Sequence, residues 1–153
     1  MKRTGIRLWC ALLLLPWGAA AQTPQEGFIG FRWGTPLQEV RQKLDLTPVR
    51  EEGQYAIFDL GDIAYDGIDL RGCGLEFVSG RLAGGFCRTE GREDSRRLRS
   101  GLERRLGKPM SVRPYTALWS GPDTYADYDE DDAGNAYLYT YSRRLNTFVP
   151  PEK

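Results

Sequence analysis

The residue types behind most enzymatic chemistry are scarce in this chain. Its 153 residues include no histidine and only three cysteines. Without histidine there is no Ser-His-Asp or Cys-His catalysis, no imidazole metal ligand and no histidine pH switch. We therefore predict a non-enzymatic protein with no catalytic residue, no cofactor and no metal. Paired-carboxylate glycosidase chemistry is the enzymatic alternative left open, although no particular carboxylate pair stands out.

Two of the cysteines could form a disulfide. Cys10 lies in an amino-terminal leader, so Cys73 and Cys87 are the pair that remains. In an oxidising compartment an isolated pair is most simply a structural disulfide. A redox pair usually has C-x-x-C spacing, which is absent, and a zinc site needs further Cys or His ligands. We predict a Cys73–Cys87 disulfide, with a redox pair or a metal site as alternatives.

The residues around these cysteines have the pattern of a β-hairpin. Segments 73–78 and 82–87 are rich in strand-forming residues and flank a Ser-Gly turn. A two-residue loop pairs Phe77 with Leu82 but leaves the second cysteine on the wrong side of the sheet. One extra residue at 84–85, both glycines, corrects the register, because glycine is favoured in a β-bulge. A three-residue loop would give the same cysteine pairing.

A row of tyrosines is the candidate binding face. Tyr137, Tyr139 and Tyr141 alternate along one predicted strand, so their side chains share a face of the sheet. Tyr125 and Trp119 belong to neighbouring predicted strands. Large rigid rings tipped with a hydroxyl are frequent in protein interfaces. The residues between the tyrosines are smaller, so the tyrosines are the better candidates to cover the buried side of the sheet. This favours an alternative in which their rings lie beneath the helices.

Two charged segments have a simple and a more specific interpretation. The acidic run over 127–132 resembles a calcium loop, but an EF-hand loop that starts at Asp129 has Thr140 at its twelfth position instead of glutamate. A solvated hairpin tip is favoured, with weak calcium binding as the alternative. Arginines and acidic residues alternate around the second predicted helix, which indicates a solvated face; an anionic partner is the alternative.

The elements that would position these residues follow the order helix, four strands, helix, three strands. The first helix begins at Thr35-Pro36, with threonine as N-cap, and ends before Pro48. The second is capped by Asp94 or Ser95 and ends at Gly107. The predicted strands are 55–60, 63–70, 73–78, 82–87, 115–119, 124–129 and 136–142. This order predicts an α+β fold: an antiparallel meander sheet with two helices on one face, each half a helix followed by strands.

The amino terminus predicts secretion. The terminus begins with positive charges at Lys2, Arg3 and Arg7, continues with an uncharged apolar run, and then has three alanines as a cleavage signal. We therefore predict a signal peptide over 1–21, with a retained anchor as the alternative. Residues 22–27 would be a linker, 28–145 a single domain, and 146–153 a flexible tail. Cleavage would leave 18 basic and 21 acidic residues, a formal net charge of −3. That charge argues against a nucleic-acid binder, and the predicted location is the periplasm with no stable membrane anchor.

The motif Trp33-Gly34-Thr35-Pro36 has a structural and a functional interpretation. The tryptophan can pack beside the first helical turn, glycine permits a bend, and Thr-Pro begins a helix. The structural role is favoured over a recognition loop.

Short motifs give this chain a resemblance to a group of small secreted bacterial domains of unknown function. The motifs, in order over about 28–145, are Gly30-Phe-Arg-Trp-Gly-Thr-Pro-x-x-Glu-Val40, Leu75-Glu-Phe-Val-Ser-Gly-Arg-Leu82, Leu106-Gly-Lys-Pro109, Leu118-Trp-Ser-Gly121 and Tyr137-Leu-Tyr-Thr-Tyr-Ser142. The helix-then-sheet halves are also similar to beta-lactamase inhibitor protein-like and outer-membrane assembly lipoprotein domains. Those families bind proteins, so the resemblance implies an envelope protein-binding domain. The chain lacks a usable lipobox, so membrane anchoring is not implied. Small-ligand or carbohydrate binding through the tyrosine face is the alternative function.

Overall fold

The computed structural model describes residues 26–146, which form an antiparallel sheet with two helices. The elements are β1 (Gly27–Phe28), β2 (Phe31–Arg32), α1 (Leu37–Arg41), β3 (Thr47–Glu52), β4 (Tyr55–Tyr65), β5 (Ile68–Val78), β6 (Arg81–Thr89), α2 (Arg92–Leu106), β7 (Ser111–Val112), β8 (Thr116–Ser120), β9 (Thr124–Glu130) and β10 (Ala136–Ser142). β1 and β2 form a separate hairpin. The other eight strands form one sheet in the order β3-β4-β5-β6-β10-β9-β8-β7. The mixed α+β class predicted from the sequence is confirmed.

The sheet consists of two four-stranded meanders joined in the middle. α1 precedes the meander β3 to β6, and α2 precedes the meander β7 to β10. The meanders meet where β10 pairs with β6, antiparallel, with Leu138 opposite Cys87. The second half therefore has one strand more than the three predicted, because the short β7 pairs with β8.

Both helices lie on the same face of the sheet, which we call the covered face. Val40 of α1 and Leu98 and Leu102 of α2 are buried against it. The Arg41 guanidinium lies 5.0 Å from the centre of the Phe58 ring, and Phe58 is fully buried on this face. The opposite side of the sheet has no helix of the described chain on it, and we call it the open face.

The strands of the first meander differ from those predicted. The expected turns at 61–62 and 71–72 are irregularities inside two long strands, β4 and β5, where the pairing register shifts. The actual turn is Asp66-Gly67, whose φ values of 53° and 73° fit a two-residue type I′ hairpin. The additional strand, β3, contains Pro48 and pairs only with β4. Proline is tolerated there because β3 is an edge strand.

Both helix starts also differ from the prediction. Pro36, not Thr35, is the N-cap of α1, and the Thr35 hydroxyl donates to the Arg32 carbonyl at 2.8 Å. α2 begins at Arg92 after Gly91, so Ser95 lies inside the helix. Its hydroxyl donates to the Gly134 carbonyl at 2.7 Å. The predicted end of α2 at Gly107 is confirmed.

The amino-terminal end of the described chain differs from the predicted boundary between linker and domain. Residues 1–21, where a signal peptide is predicted, lie outside the described residues. Glu26 and Gly27, placed in the predicted linker, belong to the fold: Gly27 starts β1 and the Glu26 carboxylate accepts from the Asp123 N–H at 2.8 Å. Among residues 26–146, no helix has the length and apolar character needed to cross a bilayer.

Candidate binding face

The tyrosines of β10 lie on the open face. Alternate residues of the strand, including Leu138 and Thr140, are buried on the covered face, and Tyr137 is 48 % exposed on the other. Tyr139 and Tyr141 are half-buried. The interpretation that the rings pack beneath the helices is therefore wrong.

Tyr125 extends the row onto the neighbouring strand. It pairs directly with Tyr141, and their ring centres are 5.1 Å apart. The rings of Tyr139 and Tyr141 are 5.6 Å apart along β10. Three of the predicted residues therefore form a continuous aromatic surface, with Tyr137 at its more exposed end.

Trp119 does not join this surface. It pairs with Ala126 on the covered face, where it is fully buried. Its indole N–H donates to the Gly107 carbonyl at 3.0 Å, which ties β8 to the end of α2. The Tyr128 ring lies edge-on to it at 6.4 Å. Its role is in the core, and the strand's two-residue period places Leu118 on the open side instead.

A buried carboxylate borders the tyrosines, and the sequence analysis missed it. Glu76 of β5 is only 6 % exposed, although it lies on the open face. Its Oε2 accepts from the Tyr139 hydroxyl at 2.8 Å and from Asn146 Nδ2 at 3.4 Å. Asn146, where the flexible tail was predicted to begin, also donates to the Tyr139 hydroxyl at 3.1 Å. The one sequence signal was a glutamate within an apolar strand.

Burial sets the protonation of this cluster. It raises the pKa of the Glu76 carboxyl, and hydrogen bonds from Tyr139, Tyr55 and Asn146 offset only part of that effect. Burial and the adjacent Glu76 charge raise the pKa of the Tyr139 hydroxyl as well. The tyrosine therefore stays a hydrogen-bond donor at neutral pH.

A shallow depression lies beside the aromatic surface. It encloses about 300 Å³, and its open-face side chains are Phe86, Arg88, Asp127, Asp129, Tyr137 and Tyr139. Asp129 pairs with Tyr137, and Asp127 pairs with Tyr139. The pKa of the Asp127 carboxyl is raised, mainly by burial and to a smaller extent by the neighbouring Asp129 charge.

Cys73 and Cys87 are neighbours on the covered face. They are 4.3 Å apart and not bonded in the structure, and both are buried. The two-residue turn and the Phe77–Leu82 pair are as predicted, but the extra residue is Ala83. The glycines serve close packing instead: a Cβ on Gly84 would lie 2.5 Å from Glu76 Oε2, and one on Gly85 would lie 2.2 Å from the Phe28 ring. Hydrogen bonding with Cys73, together with burial, raises the pKa of the Cys87 thiol.

The Trp33-Gly34-Thr35-Pro36 motif attaches the amino-terminal segment to the sheet. The Trp33 indole N–H donates to Thr124 Oγ1 at 2.8 Å. The Gly34 N–H donates to the Leu82 carbonyl at 2.8 Å, and the Leu82 N–H donates to the Thr35 carbonyl at 2.9 Å. These contacts support the structural interpretation of the motif.

The two charged segments are held by local contacts. In the acidic turn, the Asp131 carboxylate accepts from both the backbone N–H and the side-chain amide of Asn135 at 2.9 Å. Within residues 26–146, no group of three or more Cys, Asp or Glu side chains is arranged to hold a metal ion. On α2, Arg97 pairs with Glu93 and Asp94, and Arg99 pairs with Glu103.

Comparison with known proteins gives no match among family models, curated proteins or solved structures.

Proposed function

We propose that this chain is a secreted, non-enzymatic domain of the cell envelope that binds a protein partner through its open face. The observation that carries the proposal is the continuous row of Tyr139, Tyr141 and Tyr125 on that face. Tyrosine is enriched at protein interfaces because its ring provides rigid contact area and its hydroxyl provides a hydrogen bond.

Site-specific photocrosslinking tests the surface directly. A photoreactive phenylalanine analogue replaces Tyr137, which is exposed on the open face, or Arg96, which is exposed on α2, in cells that export the protein. We expect one defined protein adduct from position 137 and none from position 96. Its yield should fall when Tyr141→Ser is added. Equal adducts from both positions, or none from position 137, would overturn the proposal.

Binding of a carbohydrate or another small ligand is the second candidate. The depression of about 300 Å³ beside Tyr137 and Tyr139 favours it, because aromatic walls with nearby carboxylates suit a sugar ring. Titration of the isolated protein with mono- and disaccharides, followed by tyrosine ring NMR signals, separates the two functions. Saturable shifts at Tyr137 with no crosslinked protein would favour the ligand.

Secretion is part of the proposal and rests on the sequence of residues 1–21. Export to the periplasm predicts that the mature protein begins at Gln22. Intact mass measurement of the protein from a periplasmic fraction tests this. A full-length mass, or recovery in the cytoplasmic fraction alone, would contradict it.

A disulfide between Cys73 and Cys87 belongs to the same proposal. Its support is the 4.3 Å separation of the two buried cysteines, one on β5 and one on β6, together with the oxidising compartment that the leader predicts. The bond would close the hairpin on the covered face and leave the tyrosines untouched.

A further inference from the structure

We propose that the carboxyl end of α2 binds a small amphiphilic anion, with its apolar end in a cavity beneath the helix and its anionic group at Arg105. The site lies on the covered side of the sheet, away from the tyrosine row of the open face. It goes beyond the protein-binding function proposed above and does not depend on it. Its support is an apolar cavity, a larger cleft beside it, and an arginine that lines both.

The cavity lies between α2 and the covered face and encloses about 100 Å³. Its walls include Leu98 and Leu102 of α2, Leu70 and Leu138 of the sheet, and Phe28 of β1. An engineered apolar cavity of about 150 Å³ in another protein stays dry and binds benzene. The cavity beneath α2 is somewhat smaller and equally apolar on these walls, so it suits a short alkyl chain.

Gly101 helps to keep this cavity open. It lies in the middle of α2 and lines the cavity, although glycine makes a helix less stable than alanine does. An added Cβ would meet only the tip of Arg104, at 3.8 Å, so close packing does not require a glycine here. A ligand that occupies the space beside Gly101 would account for the missing side chain.

Arg105 joins the cavity to a larger cleft. It follows Leu98 and Leu102 on the stripe of α2 that faces the sheet, and it is exposed where that stripe reaches the surface. Beyond it lies a cleft of about 810 Å³, whose walls include Arg105, Arg32 and Trp33. A molecule with its chain in the cavity would therefore have its head group at Arg105, with room for that group in the cleft.

The acidic residues that line the cavity and the cleft already have partners. At the cavity, the Asp66 carboxylate lies 3.8 Å from the Arg104 guanidinium. In the cleft, the Asp123 carboxylate pairs with Arg144 at 2.7 Å, and the Glu26 carboxylate accepts from the Asp123 backbone N–H at 2.8 Å. Each of these carboxylates is thus held by a group other than Arg105.

Arg105 and Arg32 have positive charges that no neighbouring carboxylate balances. Among the described residues 26–146, neither arginine takes part in an ion pair. A guanidinium binds carboxylate and phosphate groups through two parallel N–H···O bonds, whereas it repels an ammonium group. Charge and apolar surface together select an anion with a short apolar chain.

The probe is pentanoate, followed by NMR of the leucine methyl signals in the whole secreted chain. Pentylammonium has the same chain with the opposite charge, acetate has the charge without the chain, and pentyl phosphate replaces the carboxylate head group. The charge variant is Arg105→Gln, and its matched control is Arg96→Gln, which changes another exposed arginine of α2. Gly101→Ala places a methyl group at the cavity wall, and urea unfolding establishes that this variant is folded.

We expect pentanoate to shift the Leu98 and Leu102 methyl signals in a saturable way, and pentylammonium and acetate to leave them unchanged at the same concentration. Arg105→Gln should weaken pentanoate binding about tenfold, the size of one lost charge-assisted hydrogen bond, while Arg96→Gln binds as the wild type does. Gly101→Ala should also weaken binding, although the helix is not destabilised. The tighter of pentanoate and pentyl phosphate identifies the head group as carboxylate or phosphate, and either result supports the site.

Three results would overturn the inference. They are the absence of a saturable shift with both anionic probes, equal shifts with pentylammonium, and equal weakening by Arg105→Gln and Arg96→Gln. Unchanged binding in Gly101→Ala would contradict the placement of the chain in the cavity. Crosslinking from position 137 tests the open face separately, so a failure here leaves the protein-binding function standing.

Discussion

Cys73 lies 4.3 Å from Cys87 on the covered face of the sheet. Oxidation would close a loop of about 15 residues, which in the chain-entropy model stabilises the fold by about 3 kcal/mol. We therefore expect that adding a thiol reductant to the oxidised protein lowers its free energy of unfolding by about that amount. Urea unfolding with and without the reductant measures the difference. The variant Cys73→Ala with Cys87→Ala should be insensitive to reductant.

The state of the thiols gives an independent check on this prediction. Alkylation under denaturing conditions, followed by mass spectrometry, should find no free thiol in protein recovered from the periplasm. Two alkylated cysteines there would refute the disulfide.

Two glycines should respond in opposite directions to alanine. Gly101 lies in the middle of α2 beside a cavity of about 100 Å³, and its added Cβ would meet only the tip of Arg104 at 3.8 Å. Gly101→Ala should therefore raise the free energy of unfolding by about 0.5–1 kcal/mol through helix propensity. At Gly85 the added Cβ would overlap the Phe28 ring, so Gly85→Ala should lower it by about 1–3 kcal/mol. Urea unfolding of both variants measures this, and a stabilised Gly85→Ala would show that the Phe28 contact is wrong.

The sequence predicted which residues share a face better than which face is covered. Alternation along β10 correctly grouped Tyr137, Tyr139 and Tyr141. The small size of Leu138 and Thr140 suggested that the tyrosines, and not these two residues, lie on the covered face. That suggestion was wrong, because Leu138 and Thr140 leave room there for the large core rings of neighbouring strands. Trp119 and Tyr128 fill that space. Whether large residues on one strand offset small residues on the next depends on the register between the two strands. The residue pattern within a single strand does not give that register.

The Glu76 cluster was beyond sequence prediction for a related reason. Its contacts with Tyr139 and Asn146 join residues 63 and 70 positions apart. The register from β5 through β6 to β10 includes an extra residue at Ala83. Each irregularity of this kind moves the following side chains to the other face, so the cluster emerges only once the irregularities are placed.

Glu76 should make stability decline with rising pH. Burial raises its folded-state pKa above the unfolded value of about 4.3. Between these two values the folded state binds more protons than the unfolded state, so the free energy of unfolding falls as pH rises. Glu76→Gln should remove this contribution: the stability of the variant relative to the wild type rises from pH 4.3 until the folded pKa is passed. Urea unfolding across pH 4–8 measures the difference, with exposed Glu51→Gln as control. A pH-independent difference would contradict the prediction.

The Asp123 carboxyl should give a pH dependence of stability opposite to that of Glu76. Burial alone would raise its pKa, but hydrogen bonds from Arg144 and Ser142 outweigh it and hold the pKa below its usual value. The carboxylate accepts from the Arg144 guanidinium at 2.7 Å and from the Ser142 hydroxyl at 2.9 Å. Its contribution to stability is therefore complete above the unfolded pKa of about 3.9 and is lost as pH falls through the folded value.

The variant Asp123→Ala leaves the buried Ser142 hydroxyl without this acceptor, so at pH 7 we expect a loss of about 2 kcal/mol in the free energy of unfolding. The loss should shrink as pH falls from the unfolded pKa of about 3.9 toward the lower folded value, because the Asp123 carboxyl then gains a proton on unfolding. Asp132→Ala, an exposed change in the turn at the opposite end of the β9–β10 hairpin, should alter stability by less than about 0.5 kcal/mol. Urea unfolding at pH 7 and pH 3 measures both variants. Equal losses for the two variants at pH 7 would mean that the Asp123 hydrogen bonds do not stabilise the end of β10.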